Sequence, residues 1–263
     1  MSGSEHLGHT GSAAGPEAAD VNGSHQVAGT GEARARLALA LDFDDSVEAM
    51  RWALRLRGSF GVAKVGLELF SAAGPSVVAE LVEAGFKVFV DMKLADIPTT
   101  TRKAARVLGA LGASYLTVHT CTGPATLAAG VEGLLQGAAG AGLPAPVPLG
   151  VTVLTSEPDA PAEVLAARVA LARDAGCRGI VCAAADLPLV RSAAPELVTV
   201  VPGIRLAGTG PHDHGRASSP AQALARGADL LVVGRAVTEA ADPDAAAAQV
   251  VAEVAAAIGG AEH

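Results

Sequence analysis

The segment Asp91-Met92-Lys93-Leu94-Ala95-Asp96 sets an ammonium between two carboxylates within a single short stretch. Side chains alternate along a strand, so Asp91 and Lys93 are expected to share a face, with Asp96 just beyond in the loop. Asp42 follows the first, and Lys64 lies within the second, of the two apolar runs before this one. Gathered in one partly desolvated pocket, opposite charges near 4 Å attract by about 4 kcal/mol at an effective dielectric of 20, against ~1 kcal/mol in water. Such surroundings keep Lys93 an ammonium and the acids ionised at neutral pH. An ammonium is a proton donor and not a Schiff-base nucleophile. The same charges also read as an ion-pair network lacing a rim, and isolated surface pairs of that kind contribute little. Their placement on consecutive strand ends favours a functional cluster.

Positioning these groups requires a repeated scaffold, and from Arg34 onward the chain alternates Val-rich runs with Ala/Leu-rich stretches of helical spacing. Strands are predicted at Leu37–Leu41, Val62–Leu67, Val88–Met92, Tyr115–Val118, Val147–Leu154, Gly179–Cys182, Val198–Val201 and Leu230–Val233. Helices are predicted at Ser46–Leu56, Ser76–Ala84, Thr99–Leu108, Ala125–Gln136, Ala162–Ala175, Leu187–Ala193, Ala221–Ala225 and Asp244–Ala257. Strands apolar along their whole length are buried on both faces, which indicates a parallel sheet. Eight such units suit a closed (β/α)8 TIM barrel of the α/β class, typically ~250 residues. The rival, a doubly wound open sheet, calls for a glycine-rich turn after its first strand. Leu41-Asp42-Phe43-Asp44-Asp45 stands there instead.

In a barrel the functional residues sit at the C-terminal ends of the strands. That rule adds His119, Thr155, Arg205, Gly234 and Arg235 to the first cluster. Pro202-Gly203-Ile204-Arg205 ends the seventh strand and Gly234-Arg235 the eighth. Loops after those two strands form the usual phosphate pocket of the fold, where a glycine admits the ligand to the backbone and an arginine clamps it in two-pronged fashion.

Composition narrows the classes further. The chain has 263 residues, 50% hydrophobic, 17% charged and only 3% aromatic, with a net charge of −8. An acidic, ring-poor surface argues against nucleic-acid binding, so an anionic ligand must be small and held by a local positive cluster. Cys121, Cys177 and Cys182 lack metal-ligand spacing and are expected to be reduced thiols. No apolar run has the ~18 residues that span a bilayer, and the start lacks the pattern of a secretory signal, so a cytoplasmic protein without membrane association is expected. Residues 1–33 are rich in Gly, Ser and Ala, contain no Lys or Arg, and read as a disordered acidic tail. Residues 34–263 form the barrel domain.

Ala40-Leu41-Asp42, Lys64-Val65-Gly66, Asp91-x-Lys93-x-x-Asp96-Ile97-Pro98, Val153-Leu154-Thr155-Ser156, Pro202-Gly203-Ile204-Arg205 and Val233-Gly234-Arg235 together resemble the orotidine 5′-monophosphate decarboxylase family, in the family's order, from about Leu37 to Asp242. The resemblance implies a homodimeric barrel enzyme that converts orotidine 5′-monophosphate to uridine 5′-monophosphate in pyrimidine synthesis, with no metal and no cofactor. It implies that Lys93 protonates the pyrimidine carbon that loses carbon dioxide while Asp91 lies against the departing carboxylate. Lys64 and Asp42 would hold the charge array and the ribose hydroxyls. Asp96, Ile97 and Thr100 would reach the neighbouring subunit's site. Thr155 would face the base, and Arg205, Gly234 and Arg235 would bind the phosphate.

One position departs from the family pattern. Nine residues after Arg205, where the family usually has a bridging Gln, stands His214. A histidine can still donate a hydrogen bond, with a shorter reach and a pH-dependent charge. His212 and His214 on a glycine-rich loop read as solvated rather than as a metal pair. The His119–Gly123 segment is also more polar than the family pattern. These departures leave a second enzyme class open, a barrel relative acting on a modified nucleotide or a sugar phosphate. Sugar-phosphate members of the group use Mg²⁺ and carry Glu at the second strand, where this chain has Lys64. A third class, a barrel that merely senses a phosphorylated ligand, needs the phosphate grip but no proton donor, and Lys93 with its acids speaks against it.

Overall fold

The computed structural model describes residues 30–154, 160–206 and 218–260. Eight parallel strands close on themselves in sequence order: β1 (Leu37–Ala40), β2 (Val62–Val65), β3 (Lys87–Leu94), β4 (Ala113–His119), β5 (Val147–Val151), β6 (Gly179–Val181), β7 (Val198–Val201) and β8 (Leu230–Val233). Pairing of β1 with both β2 and β8 seals the cylinder, so the expected (β/α)8 barrel is the fold. Alternation sorts the side chains into two cores. Leu37, Leu39 and Leu41 join the layer between strands and helices. Ala38 and Ala40 point inward, to pack with Val62, Phe89, Val151 and Val232. With aromatics so scarce, both layers are filled by Leu, Val and Ala, which suit the tapering space of a barrel.

The helices follow from caps and from the spacing of their apolar residues. Asp45 accepts the Glu48 N–H at 2.7 Å and starts Ser46–Leu56, whose buried Ala49, Ala53 and Leu56 fall on one stripe. Proline begins Pro98–Ala110 and Pro124–Gly140, where its missing N–H costs nothing. These two helices pack backbone to backbone, because a Cβ at Gly133 or Gly137 would run into the carbonyls of Arg102 or Arg106.

The differences from expectation lie at element ends. β2 stops at Val65, two residues short of the expected Leu67, and the chain turns at Gly66 into a helix, Leu67–Ala73, that is not among the expected elements. β5 stops at Val151, whereas β3 runs on to Leu94. A single helical turn, Arg235–Thr238, follows β8 and is too short to show a period. Residues 30–35 are helical and Ala33 is buried, so this helix runs across the expected boundary at residue 34. Among the described residues no helix is long and apolar enough to cross a membrane.

Candidate active site

At the C-terminal mouth of the barrel the inward face changes from apolar to charged one layer above the core. Lys64 follows Val62 on the inner face of β2 and is buried. Its Nζ donates to Asp42 Oδ1 at 2.8 Å, and this carboxylate, placed just after β1, is more than half exposed. Gly66 makes room for the pair, since a Cβ there would lie 3.1 Å from Lys64 Nζ and 3.3 Å from Asp42 Oδ1.

The second pair comes from β3. Lys93 Nζ donates to Asp91 Oδ2 at 2.8 Å, so the two side chains do meet, as the sequence predicts. The cause differs from simple alternation. Val90 pairs with Leu116 and Leu94 with Val118, so three residues of β3 stand opposite Thr117 alone, and the strand bulges. Lys93 takes up the excess with φ of 46°, the one positive φ outside glycine among the described residues. A non-glycine residue held there costs on the order of 1–3 kcal/mol, and such strain clusters at functional sites. Thr117, fully buried on β4, sits in the angle of the bulge. Its Oγ1 accepts the Lys93 backbone N–H at 2.8 Å, and its hydroxyl donates to Asp91 Oδ1 at 3.0 Å.

Across the mouth lies a group of opposite character. Arg205, after β7, donates from Nη1 to the Ile204 carbonyl at a long 3.4 Å. Its Nη2 is the one buried side-chain nitrogen or oxygen without a hydrogen-bond partner among the described residues. Burial first, and the like charge of Arg235 second, pull its pKa below the ordinary arginine value, while Glu239 opposes them. A partly buried guanidinium with one nitrogen left without a partner, under the like charge of a second arginine, is arranged for an anion. Gly234 keeps the approach open, since a Cβ there would lie 3.2 Å from that of Ala40. A cavity of about 220 Å³ is lined by Asp42, Lys64, Asp91 and Lys93 from the first three strands and by Arg205 and Arg235 from the ends of the last two. Phe89, Val151, Val181 and Val232 supply an apolar floor on which a flat ring can lie.

Asp96, Ile97 and Thr100 are not in this cavity. They stand exposed at the start of the helix Pro98–Ala110, with Ile97 65% accessible and its N–H donating to Asp96 Oδ1 at 2.6 Å. The Asp96 loop is nevertheless anchored, because its carbonyl accepts from Thr126 at 3.0 Å. His119 caps the short turn after β4 by accepting the Cys121 N–H at 3.2 Å, and it does not line the cavity. Thr155, His212 and His214 lie outside the described residues. No group of three or more His, Cys, Asp or Glu placed to hold a metal occurs among the described residues. Sequence reasoning missed Thr117 and the spatial role of Gly66. A threonine inside an apolar strand carries no signal of its own, and only the register of β3 against β4 reveals it.

Residues 35–250 match the family model described as orotidine 5′-phosphate decarboxylase / HUMPS family. The orotidine 5′-phosphate decarboxylase of Moorella thermoacetica is 42% identical over 234 residues, covering 84% of this chain and 93% of its own. The enzyme of the same name from Synechococcus sp. (strain WH7803) is 43% identical over 219 residues, 79% of this chain and 86% of its own. Among solved structures, orotidine 5′-phosphate decarboxylase from Lactobacillus acidophilus matches with a TM-score of 0.71 at 30% identity, covering 83% of this chain and 98% of that one. A chain from Geobacillus kaustophilus, described as an uncharacterized conserved protein, matches with a TM-score of 0.69 at 31% identity, covering 83% and 99%.

Proposed function

This chain belongs to the orotidine 5′-phosphate decarboxylase / HUMPS family, and from that premise we propose that it is a carboxy-lyase converting orotidine 5′-monophosphate to uridine 5′-monophosphate in pyrimidine biosynthesis. The observation that carries the reading is one cavity lined both by the Lys93–Asp91 pair at 2.8 Å and by Arg205, whose buried Nη2 has no partner among the described residues. The first is chemistry for a carbon centre and the second a grip for a phosphate.

The bond between the pyrimidine ring and its carboxylate breaks, carbon dioxide leaves, and the electron pair stays on the ring carbon. That vinylic carbanion is poorly stabilised in water, so the site must favour charge at carbon over charge on the carboxylate. Asp91 disfavours the bound carboxylate, and the Lys93 ammonium stabilises the carbanion and delivers its proton to it. Lys93 recovers a proton from solvent after release. The proton source is a side chain, so the step as drawn uses no metal or cofactor. Lys64 holds Asp42 in place for the ribose hydroxyls through their 2.8 Å hydrogen bond. Arg205, Arg235 and the open backbone at Gly234 bind the phosphate, and Thr155 and His214 contribute to binding the base. Binding energy from the remote phosphate serves to favour the transition state at the ring carbon.

The active form in this reading is a cytoplasmic homodimer. Asp96, Ile97 and Thr100, exposed on an anchored loop beside the mouth, complete the neighbouring subunit's site. The alternative, action on a modified nucleotide or a sugar phosphate, is not favoured. The relatives at 42–43% identity bear the decarboxylase name, and Lys64 occupies the position where sugar-phosphate members have Glu.

Following the absorbance loss of orotidine 5′-monophosphate in the presence of EDTA tests the reaction. Metal-independent turnover is expected; binding of uridine 5′-monophosphate with no turnover would replace the enzyme reading with a sensor. Mixing Lys93→Ala with Asp96→Ala subunits tests the shared site. Partial recovery of activity is expected, and none despite proven subunit exchange would refute sharing.

A further inference from the structure

We infer that Thr117 is a positioning residue of this site, whose hydroxyl locks the β3 bulge and so aims Lys93 and Asp91 at one reacting atom. The kinetic part of this inference rests on the decarboxylase reading; the structural part rests on geometry alone.

Regular pairing of β3 with β4 resumes only at Leu94, so the Lys93 N–H has no β4 carbonyl opposite it. The Thr117 side chain takes that carbonyl's place, accepting the Lys93 N–H at 2.8 Å. Having accepted there, the hydroxyl has its own proton to give, and it gives it to Asp91 Oδ1 at 3.0 Å. The other oxygen of the same carboxylate receives Lys93 Nζ at 2.8 Å. A closed circuit results, from the Lys93 main chain through Thr117 to Asp91 and back to the Lys93 side chain. Each member constrains the next. With Oδ1 held by Thr117, the plane of the Asp91 carboxylate is set, and Oδ2 is the atom left to meet the ammonium. With its N–H held, Lys93 is kept at φ of 46°, which directs its stem into the cavity rather than along the strand. Thr117 itself is fully buried and does not line the cavity, so it acts through the pair and not on a ligand.

Both atoms of the hydroxyl are required, and that makes the inference sharp. Thr117→Val preserves shape and removes donor and acceptor together; Thr117→Ser keeps both and trims only a methyl. In the valine variant kcat is expected to fall about 10²-fold, the scale on which small misplacements of reacting groups act. KM and the affinity for uridine 5′-monophosphate should change by less than about threefold, because the phosphate grip is untouched. The serine variant should return kcat to within about fivefold of wild type. Independently of activity, amide hydrogen exchange should show the Lys93 N–H protected in the wild type and exchanging at least about tenfold faster in the valine variant, with the Leu116 N–H unchanged. If valine prevents folding, Thr117→Ala takes its place with the same expectations. Wild-type kcat in the valine or alanine variant, or unchanged protection at Lys93, would overturn the inference. A wild-type protein that does not decarboxylate orotidine 5′-monophosphate sinks the proposed reaction, and the exchange measurement still decides the role of Thr117.

Discussion

Arg191 and Arg205 stand at opposite ends of the same barrel and are treated by the fold in opposite ways. Arg191, on the helix Leu187–Ala193 below the N-terminal ends of β7 and β8, donates to the carbonyls of Pro195, Leu197 and Gly227, to Thr199 Oγ1 and, at 2.6 Å, to Asp229 Oδ2. Its partner Asp229 accepts in addition the Thr199 N–H at 2.7 Å. Arg205, at the C-terminal end, has among the described residues one long bond to its neighbour's carbonyl and a buried Nη2 with none. Two residues of one type in one chain thus separate a closed polar network from an open one. The closed network is finished by folding and secures the lower rim. The open one leaves one buried nitrogen of a cation without a partner, which is the arrangement that suits an anionic ligand. The same contrast runs through the two rims as a whole, stability below and chemistry above.

Substitutions at the two ends should therefore separate activity from stability. The largest effect is expected from Lys93→Ala, which removes the proposed proton donor. Turnover should fall on the order of 10⁴-fold or more, while the unfolding free energy from urea titration falls by no more than about 2 kcal/mol, because Asp91 loses its ammonium partner but keeps the Thr117 hydroxyl. Steady-state kinetics beside an unfolding curve checks both, and near-normal turnover would remove Lys93 from the mechanism. Next comes Arg205→Met. Two charge-assisted bonds to phosphate are lost, so affinity for the nucleotide should drop about 10²-fold by calorimetry. Stability should hold or rise, since an unpaired buried donor and its repulsion from Arg235 disappear. Arg191→Met is the mirror image, with kinetics near wild type and a loss of about 2–3 kcal/mol in unfolding free energy from the stranded Asp229 and carbonyls. If the two arginine variants destabilise alike, the distinction between a closed and an open network fails.

The smallest effect concerns pH. Burial pushes the Cys177 thiol from an ordinary 9.0 up to about 12. Between those values the folded state keeps a proton that the unfolded chain has released. Stability from this group is complete below pH 9 and is lost as pH rises through the window. Burial also raises Tyr115, which acts in the same direction at the alkaline end. Unfolding midpoints measured at about pH 8 and about pH 10.5, on either side of the ordinary thiol value, should differ less for Cys177→Ala than for wild type. An identical difference would show that the thiol contributes nothing to the slope.

Much of this was legible in the chain because a barrel is a local code repeated. Each strand is an apolar run, most helices are Ala/Leu-rich stretches with a proline or acidic start, and helices Ser46–Leu56 and Leu187–Ala193 match expectation to the residue. The Asp42, Lys64, Asp91, Lys93, Arg205 and Arg235 set was legible because a charge at the end of an otherwise apolar strand is costly to desolvate and is retained where it meets a counter-charge or a ligand. The short helix Leu67–Ala73 was not, since at seven residues it is too short to show a clear helical period and its Leu67 reads as the end of the β2 run.

What the sequence determined by itself is the kind of fold and the inventory of charges at its mouth, because periodicity and strand-end position are properties of neighbours in the chain. What tertiary structure alone decided is how those charges are aimed. The bulge that sets Lys93 at φ of 46°, the buried Thr117 hydroxyl that spans it, the space Gly66 leaves for Lys64 and Asp42, and the unpaired edge of Arg205 all depend on which residue of one strand meets which residue of the next. Register between strands is a balance of packing over the whole closed sheet, and no single stretch of chain contains it.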